Sequence, residues 1–550
     1  MVQKLRYSLI LTHSLLFFSL VHAQGEAEDL IESVVLDKHS INITINKSFK
    51  EMWLRDDFFA SYEKDINLQQ MPYSIALLPF ILNIYPVVWV SGKDYVIDCM
   101  DEDTYYSLER IKKIFQRLYP STPFLGNLIP KTLVKNAPST SLVNNETDIA
   151  VLYSSGLDST ACSFQYHDKR QLLITAQGQG DLPTRMDRLW NSHKKRFIKY
   201  AQDYGHTNAF VKCNYTEFLN FEVLEKVSEE IRAWRVDTTE GIGLFGAAAP
   251  ILFAKGYSTL HIGSTFTWEY PWPTAANPLV DSNLTVASAF SLKHVHFDIN
   301  RFEKVKLIVD LVRTKNIKIP FMRVCDAQIH GGNCCLNCAK CQTVINSFLV
   351  LNENPVPYGF KVTFEQIEER AKEYFTDTKG YWTCWNFCVM QEQLRELPWI
   401  PEEAEWLREF DFMSCAGYFL AGTKIRVNWE NFRDLAPHTL EIPAISPCNC
   451  DNTKKKIIQE RKRKAYAKKM LKRNRRRNLY RSIPMQELEA TILSNRLQAA
   501  VQFETMKNTE PAACDTTCCV QKAQDSETES FDPQDIQTQD SKDQTLIEAL

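Results

Sequence analysis

Between residues 146 and 351 the chain alternates short apolar runs with longer segments of helical periodicity. Gly205 and Gly256 each follow one of the helical segments, where a glycine commonly ends a helix in the left-handed conformation. This alternation is typical of a parallel sheet that is covered by helices on both faces, so the expected fold class is α/β. The apolar runs predicted as strands are 149–153, 172–175, 209–211 and 259–262.

Two further segments flank this region, and both are expected to fold. Residues 29–135 predict a small α+β domain, with strand-like runs at 85–90 and 95–97 and an amphipathic helix over 105–118. Residues 356–444 are rich in Trp, Phe and Glu and predict a mainly helical region.

The two ends of the chain differ from the rest in composition. Lys4 and Arg6 precede an apolar run, and Val-His-Ala at 21–23 fits signal cleavage, so residues 1–23 predict a secretory signal. This run is too short to span a bilayer comfortably, and no transmembrane domain is expected. An ordinary N-terminal helix is the alternative. The tail 447–550, first basic and then acidic, has few large apolar residues and is expected to be disordered.

The most informative motif lies where the first predicted strand turns into a helix. There the sequence reads Ser-Ser-Gly-Leu-Asp-Ser at 154–159. Small residues allow backbone N–H groups to encircle an anion, and the helix N-terminus adds the positive end of its dipole. The loop therefore predicts phosphate binding, with an ordinary turn and helix cap as the alternative.

This loop closely resembles the Ser-Gly-Gly-x-Asp-Ser signature of the PP-loop (N-type) ATP pyrophosphatase superfamily. The resemblance implies an adenine nucleotide alpha hydrolase-like fold, in which the loop grips the pyrophosphate part of ATP and Asp158 helps to place Mg²⁺. Ser155 stands where the signature has Gly, and its Cβ is expected to crowd the phosphate path. The residues that the resemblance assigns to ATP are Ser154, Ser155, Gly156, Leu157, Asp158 and Ser159.

A second motif places Cys335, Cys338 and Cys341 at C-x2-C-x2-C spacing. Three thiolates need a fourth ligand from elsewhere, for which Cys325 is the first choice and Cys334 the competing one. Tetrahedral sulfur coordination suits Zn²⁺, and a site closed by four thiolates is structural rather than catalytic. Disulfides and an iron–sulfur cluster are the alternatives.

The two motifs in this order resemble the 7-cyano-7-deazaguanine synthase branch, whose PP-loop domain also ends in a cysteine zinc site. The resemblance implies that Lys304 meets ATP phosphate as a catalytic residue, and more weakly that Asp281 contacts the substrate. A solvated Lys at a helix start is the alternative for Lys304. Gly263 and Ser264 follow the fourth strand at the sheet edge where nucleotides bind. With its flanking segments, the chain is closer to uncharacterised bacterial PP-loop proteins than to a true deazaguanine synthase.

These features predict an ATP-dependent adenylating enzyme that uses ATP, Mg²⁺ and Zn²⁺. It would form AMP and pyrophosphate while activating a carboxylate or carbonyl of a small molecule for amidation or thiolation. Ser155 motivates a first alternative, a nucleotide-binding protein without turnover. A second alternative is a tRNA-modifying enzyme, because a basic run from Lys454 to Arg481 is suited to RNA or another anionic surface; a solvated charged helix is as good an interpretation of that run.

Two histidines and the cellular compartment each allow two interpretations. His294 and His296 alternate on a possible strand, for which a buried structural role is favoured over proton transfer. ATP chemistry and reduced thiolates favour action in the cytoplasm, whereas residues 1–23 favour secretion.

Overall fold

Strands and helices alternate along the part of the chain that this computed structural model describes, namely residues 27–138, 141–270, 272–325, 334–377, 379–395, 397–415 and 427–443. The described strands are β1 (Glu28–Asp29), β2 (Ile31–Leu36), β3 (Ser40–Ile45), β4 (Phe58–Tyr62), β5 (Tyr95–Asp101), β6 (Leu128–Val134), β7 (Asp148–Leu152), β8 (Arg170–Gln177), β9 (Thr207–Cys213), β10 (Thr259–Gly263), β11 (Thr285–Val286) and β12 (Phe290–Val295).

The helices that connect and flank these strands are mostly amphipathic or wholly buried. In the described residues the α-helices are α1 (Lys47–Trp53), α2 (Tyr73–Ala76), α3 (Leu78–Ser91), α4 (Glu102–Leu118), α5 (Leu157–Gln165), α6 (Asp187–Tyr204), α7 (Phe221–Leu224), α8 (Glu240–Lys255), α9 (Pro278–Asp281), α10 (Arg301–Lys315), α11 (Ala339–Val350), α12 (Phe364–Tyr374) and α13 (Tyr381–Leu394).

The larger sheet is mixed rather than wholly parallel. Its nine strands lie in the order β11-β12-β10-β7-β8-β9-β4-β3-β2. The five strands from β12 to β9 are parallel, as expected for strands joined by helical crossovers. The outer strands β11, β4, β3 and β2 pair antiparallel. The expectation of a parallel sheet thus holds for its centre and is wrong for its edges. Strands β2, β3 and β4, like β11 and β12, follow one another closely along the chain, which allows antiparallel pairing, whereas β4 pairs with β9 across a long separation in sequence.

The segment 29–135 contributes to two sheets. Strands β2, β3 and β4 extend the larger sheet, because β4 pairs with β9 from Ala60 opposite Cys213 to Tyr62 opposite Val211. Strands β1, β5 and β6 form a separate parallel sheet of three strands. The predicted small α+β domain therefore shares a sheet with the central region.

The order of the parallel strands reverses at β7. The chain runs from β7 to β8 and β9 on one side, and then returns to place β10 and β12 on the other side. In open α/β sheets such a switch in strand order leaves a crevice at the carboxyl ends of the two strands, because the connections diverge to opposite sides. The loops that follow β7 and β10 face this crevice.

Most of the elements predicted from periodicity agree with the structure, and one does not. The four strands predicted at 149–153, 172–175, 209–211 and 259–262 are confirmed as β7, β8, β9 and β10. Helices α6 and α8 end at glycines in the left-handed conformation, also as predicted. The strand-like run 85–90 is wrong, because it lies inside α3, which is buried on all sides and has no polar face to reveal its helical period.

The buried helices α3 and α8 pack closely against each other. A Cβ on Gly246 would lie 2.8 Å from the Cβ of Leu82, and a Cβ on Gly243 would lie 2.2 Å from Oδ1 of Asn83. Glycine at these positions therefore allows the two helices to approach. This packing joins the segment 29–135 to the central region and fixes the position of α8.

Candidate functional site

The loop after β7 turns sharply at Ser155, whose backbone is left-handed with φ of 59°. This conformation costs an L-residue roughly 1–2 kcal/mol relative to the right-handed one. The Ser155 hydroxyl is buried and has no hydrogen-bond partner within the described part of the chain. Ser155 therefore occupies a position suited to glycine, the residue found there in the PP-loop signature.

The same loop presents the N-terminus of α5. Gly156 is the N-cap residue and has no side chain to accept from the N–H groups of the first turn, which have no acceptor inside the helix either. The hydroxyl of Ser159 donates to the Gly156 carbonyl over 3.2 Å and accepts from the N–H of Ser154 over 3.2 Å, which closes the loop on itself. Unoccupied N–H donors and the helix dipole together suit a phosphate.

Asp158 lies in the first turn of α5, and two cations of α10 hold its carboxylate. Nη1 of Arg301 is 3.1 Å from Oδ2, and Nζ of Lys304 is 3.2 Å from Oδ1. Burial raises the pKa of Asp158, but Lys304 and Arg301 lower it by more, so that the net shift is downward. The carboxylate is therefore ionised and oriented, and its side chain keeps 20% exposure.

The end of β10 touches the start of α5. A Cβ on Gly263 would lie 2.1 Å from the Asp158 carbonyl oxygen, a distance that no side chain tolerates. The Lys304 ammonium also donates to the carbonyl of Ser264, immediately beyond Gly263. Close approach at Gly263 and this lysine bridge thus fix Asp158 relative to the sheet edge.

A cavity of about 380 Å³ lies over the carboxyl ends of β7 and β10. Ser155, Ser264 and Lys304 are buried and do not line it; Lys304, for which phosphate contact was predicted, contacts Asp158 instead of facing the cavity. The predicted residues that do line the cavity are Ser154, Gly156, Leu157, Asp158, Ser159 and Gly263.

Charged residues that sequence reasoning missed also line the cavity. Arg323 is 7% exposed, forms an ion pair with Asp181, and donates its backbone N–H to the Ser155 carbonyl over 2.7 Å. Only for Arg301 was there a signal, because it lies three residues before Lys304 and so shares a helix face with it. The missed residues are Asp181, Arg235, Glu240, Arg301, Arg323 and Lys340.

Asp281 lies away from this cavity. It is fully buried, and its Oδ2 forms a hydrogen bond of 2.6 Å with Nδ1 of His294. Burial raises the pKa of Asp281. His296 leaves the strand with φ of 66° and contacts Gln165. The structure therefore gives Asp281 and His294 a shared buried pair, whereas the sequence had suggested substrate contact for Asp281.

Four cysteines converge on one point. The Sγ atoms of Cys325, Cys335, Cys338 and Cys341 all lie within 4.8 Å of one another. A tetrahedral Zn²⁺ with bonds of about 2.3 Å to sulfur requires sulfur atoms about 3.8 Å apart, and Cys335 Sγ is 3.9 Å from Cys341 Sγ. These separations are too long for a disulfide and fit a metal ion such as zinc. Cys325, not Cys334, supplies the fourth thiol of this group.

The cysteine cluster adjoins the cavity. Cys325 belongs to the cluster and also lines the cavity, directly after Arg323 and Val324. Lys340, which precedes the ligand candidate Cys341, lines the cavity as well. A metal ion held by these thiols would therefore fix the two segments that carry Arg323 and Lys340.

Three sequence predictions concern residues beyond those described. The signal-like segment 1–23 and the tail 447–550, including the basic run from Lys454 to Arg481, lie outside the described residues. Among the residues that the structure does describe, no helix is long and apolar enough to cross a membrane. No family model, curated protein or solved structure matches this chain.

Proposed function

We propose that this protein is an ATP-dependent adenylating enzyme of the PP-loop type, which cleaves ATP between the α and β phosphates. The proposal rests chiefly on the loop 154–159, whose helix N-terminus opens onto a cavity at the switch in strand order. Both features favour a phosphorylated ligand at the same place.

The charges of the cavity wall support this assignment. The wall of a space large enough for a nucleotide carries four cations, Arg235, Arg301, Arg323 and Lys340, against the three carboxylates of Asp158, Asp181 and Glu240. The carboxylate of Asp158 sits at the mouth of the phosphate loop, where it would hold Mg²⁺ on the leaving phosphates. Cationic side chains and Mg²⁺ are the usual means of stabilising charge on a transferred phosphoryl group.

The proposed chemistry needs no nucleophile from the protein. A carboxylate oxygen of the substrate attacks the α-phosphorus, forming one P–O bond while the bond to the pyrophosphate oxygen breaks. A nitrogen or sulfur nucleophile then attacks the activated carbonyl carbon, AMP leaves with the electron pair of the C–O bond, and the nucleophile gives up its proton to water. Positioning and charge stabilisation by the wall residues supply the catalysis.

Turnover is favoured over simple nucleotide binding by the placement of Ser155. From the sequence, the Cβ of Ser155 was expected to crowd the phosphates. Ser155 is 4% exposed and does not line the cavity, so its side chain leaves the phosphate path open. The cysteine cluster, closed by four thiols, is assigned to structure rather than to catalysis.

Asp158→Ala provides the test. Because Asp158→Ala leaves the buried Lys304 without its carboxylate, the rates are compared at a temperature at which circular dichroism and ATP binding show the variant to be folded. The folded variant should form AMP at least a hundredfold more slowly than the wild type, since the oriented carboxylate for Mg²⁺ is lost. Asp168→Ala is the matched control, because Asp168 is an exposed carboxylate shortly after the same helix. Equal rates for the two variants would contradict the assignment of Asp158.

A further inference from the structure

A second cavity, of about 220 Å³, has walls that are largely aromatic. Ala233 and Gly380 are exposed at its rim, so it opens to solvent there. Its volume lies below the roughly 300 Å³ that drug-sized ligands need, which limits the occupant to a small molecule. The aromatic residues of the wall are Phe266, Tyr270, Trp272, Tyr381 and Trp382.

One carboxyl group and one guanidinium group interrupt this aromatic wall. Asp237 is buried, and its Oδ2 accepts the backbone N–H groups of Arg232 and Ala233 over 2.9 and 3.2 Å. The guanidinium carbon of Arg232 lies 3.3 Å from the centre of the Trp272 ring. Burial raises the pKa of Asp237 to about 7, against smaller opposing effects of its backbone hydrogen bonds and Arg232.

The second cavity adjoins the proposed nucleotide cavity at three places. Arg235 and Thr265 line the first cavity, whereas Val236 and Phe266, which follow them in the chain, line the second. The third place is a cation–π contact between the two walls: the guanidinium of Arg301, from the first cavity, lies 5.3 Å from the ring centre of Trp382, from the second. A molecule in the second cavity would therefore lie next to a bound nucleotide.

We propose that this second cavity binds an apolar α-amino acid as the second substrate of the enzyme. Its role as a substrate rests on the proposed function, but its binding does not. Asp237 would accept the ammonium group, Arg232 would donate to the carboxylate, and the aromatic wall would enclose the side chain.

The charge pattern selects this class over simpler ligands. A plain organic cation suits aromatic rings and Asp237, but Arg232 repels it. A plain carboxylate suits Arg232, but Asp237 repels it. A zwitterion offers an opposite charge to both groups, and the planar guanidinium of Arg232 can face a carboxylate with its edge while its face stacks on Trp272.

Calorimetric titration of the full-length, zinc-loaded protein at pH 8, without nucleotide, tests the proposal. The probes are phenylalanine, tryptophan and leucine, with 2-phenylethylamine and 3-phenylpropionate as analogues that lack one charge. At least one amino acid should bind, and phenylalanine should bind at least tenfold more tightly than either analogue. Failure of all three amino acids to bind, or equal binding of 3-phenylpropionate, would overturn the proposal.

Two variants assign the charges. Arg232→Gln should weaken phenylalanine binding at least tenfold and tighten 2-phenylethylamine binding, because the repelling guanidinium is gone, whereas Asp237→Asn should weaken the binding of both. Both variants should bind ATP as the wild type does, which shows that they are folded. Arg55→Gln, on the exposed surface, is the control for loss of one arginine. If amino acids bind but no AMP forms, the site stands and the proposed function fails; if AMP forms and no amino acid binds, the reverse holds.

Discussion

Nζ of Lys304 lies 3.2 Å from Oδ1 of Asp158 in the helix that follows the loop after β7, and the lysine side chain is completely buried. Lys304→Met should lower the free energy of unfolding by about 1.5–3 kcal/mol, because it removes one of the two cations that hold a partly buried carboxylate. The double variant with Asp158→Asn should recover much of this loss, since neither charge then remains. Urea unfolding of the two single variants and the double variant measures the coupling. A double variant as unstable as the sum of both single variants would contradict a direct Lys304–Asp158 interaction.

Asp237 predicts a pH dependence of stability. Its pKa is about 7 in the folded protein, against about 3.9 in an unfolded chain. The folded state therefore binds more protons between pH 4 and 7, and this group makes the free energy of unfolding fall as pH rises through that window. The fall is on the order of 4 kcal/mol at most. Urea unfolding at pH 5 and 8 should show that Asp237→Asn lacks this component; parallel profiles would contradict it.

Gly263→Ala should disrupt the nucleotide site. The added Cβ would lie 2.1 Å from the Asp158 carbonyl oxygen, so either β10 or the start of α5 must shift. We expect a loss of about 1–3 kcal/mol in stability and at least a tenfold loss of ATP affinity. Gly380→Ala is the matched control, because a Cβ there meets no atom within 4 Å. Unchanged ATP affinity in Gly263→Ala would show that this contact does not position the loop.

The cysteine cluster predicts one zinc ion per chain. Cys338→Ser and Cys325→Ser should lose the metal and destabilise the protein, because metal binding and folding are coupled. Cys334→Ser and Cys99→Ser should retain it, since neither belongs to the group of four converging thiols. Elemental analysis of the reduced proteins measures the stoichiometry. Retention of zinc by Cys325→Ser together with its loss from Cys334→Ser would reverse the choice of the fourth ligand.

The cysteine cluster and the cavity share residues, so we expect metal removal to weaken nucleotide binding. Cys325 belongs to both sites, and Arg323 and Lys340 flank cysteines of the cluster. Removing the metal with a chelator should therefore weaken ATP at least tenfold, as measured by equilibrium binding, and added Zn²⁺ should restore it. Unchanged ATP affinity in metal-depleted protein would show that the two sites act independently.

The parts of the fold that the sequence predicts are those with local signals. Strands β7 to β10 are short apolar runs, of which β9 and β10 follow helices that end at a glycine, and each is recognisable without knowledge of its partners. The pairing of β4 with β9 is not, because it joins residues about 150 positions apart and leaves no local pattern. The run 85–90 shows the limit of periodicity, since a helix buried on every side resembles a buried strand.

The candidate site divides in the same way. Residues 154–159 and the cysteine spacing are contiguous motifs, so they could be read directly. The pairing of Arg323 with Asp181 depends on the tertiary fold, as does the position of Lys304 behind the cavity wall. Asp281 was assigned from a weak similarity of its loop, and its burial with His294 could not be seen from sequence.

The position at which ATP is cleaved tests the central claim most directly. Reduced, zinc-loaded protein is incubated with Mg²⁺, ATP labelled at the α-phosphate, a panel of small carboxylic acids and the apolar amino acids, and the nucleotides are separated by chromatography. We predict AMP, with an equal amount of pyrophosphate, from the wild type and at least a hundredfold less from Asp158→Ala. Labelled ADP with inorganic phosphate, or no labelled product from protein that binds ATP, would contradict the assignment.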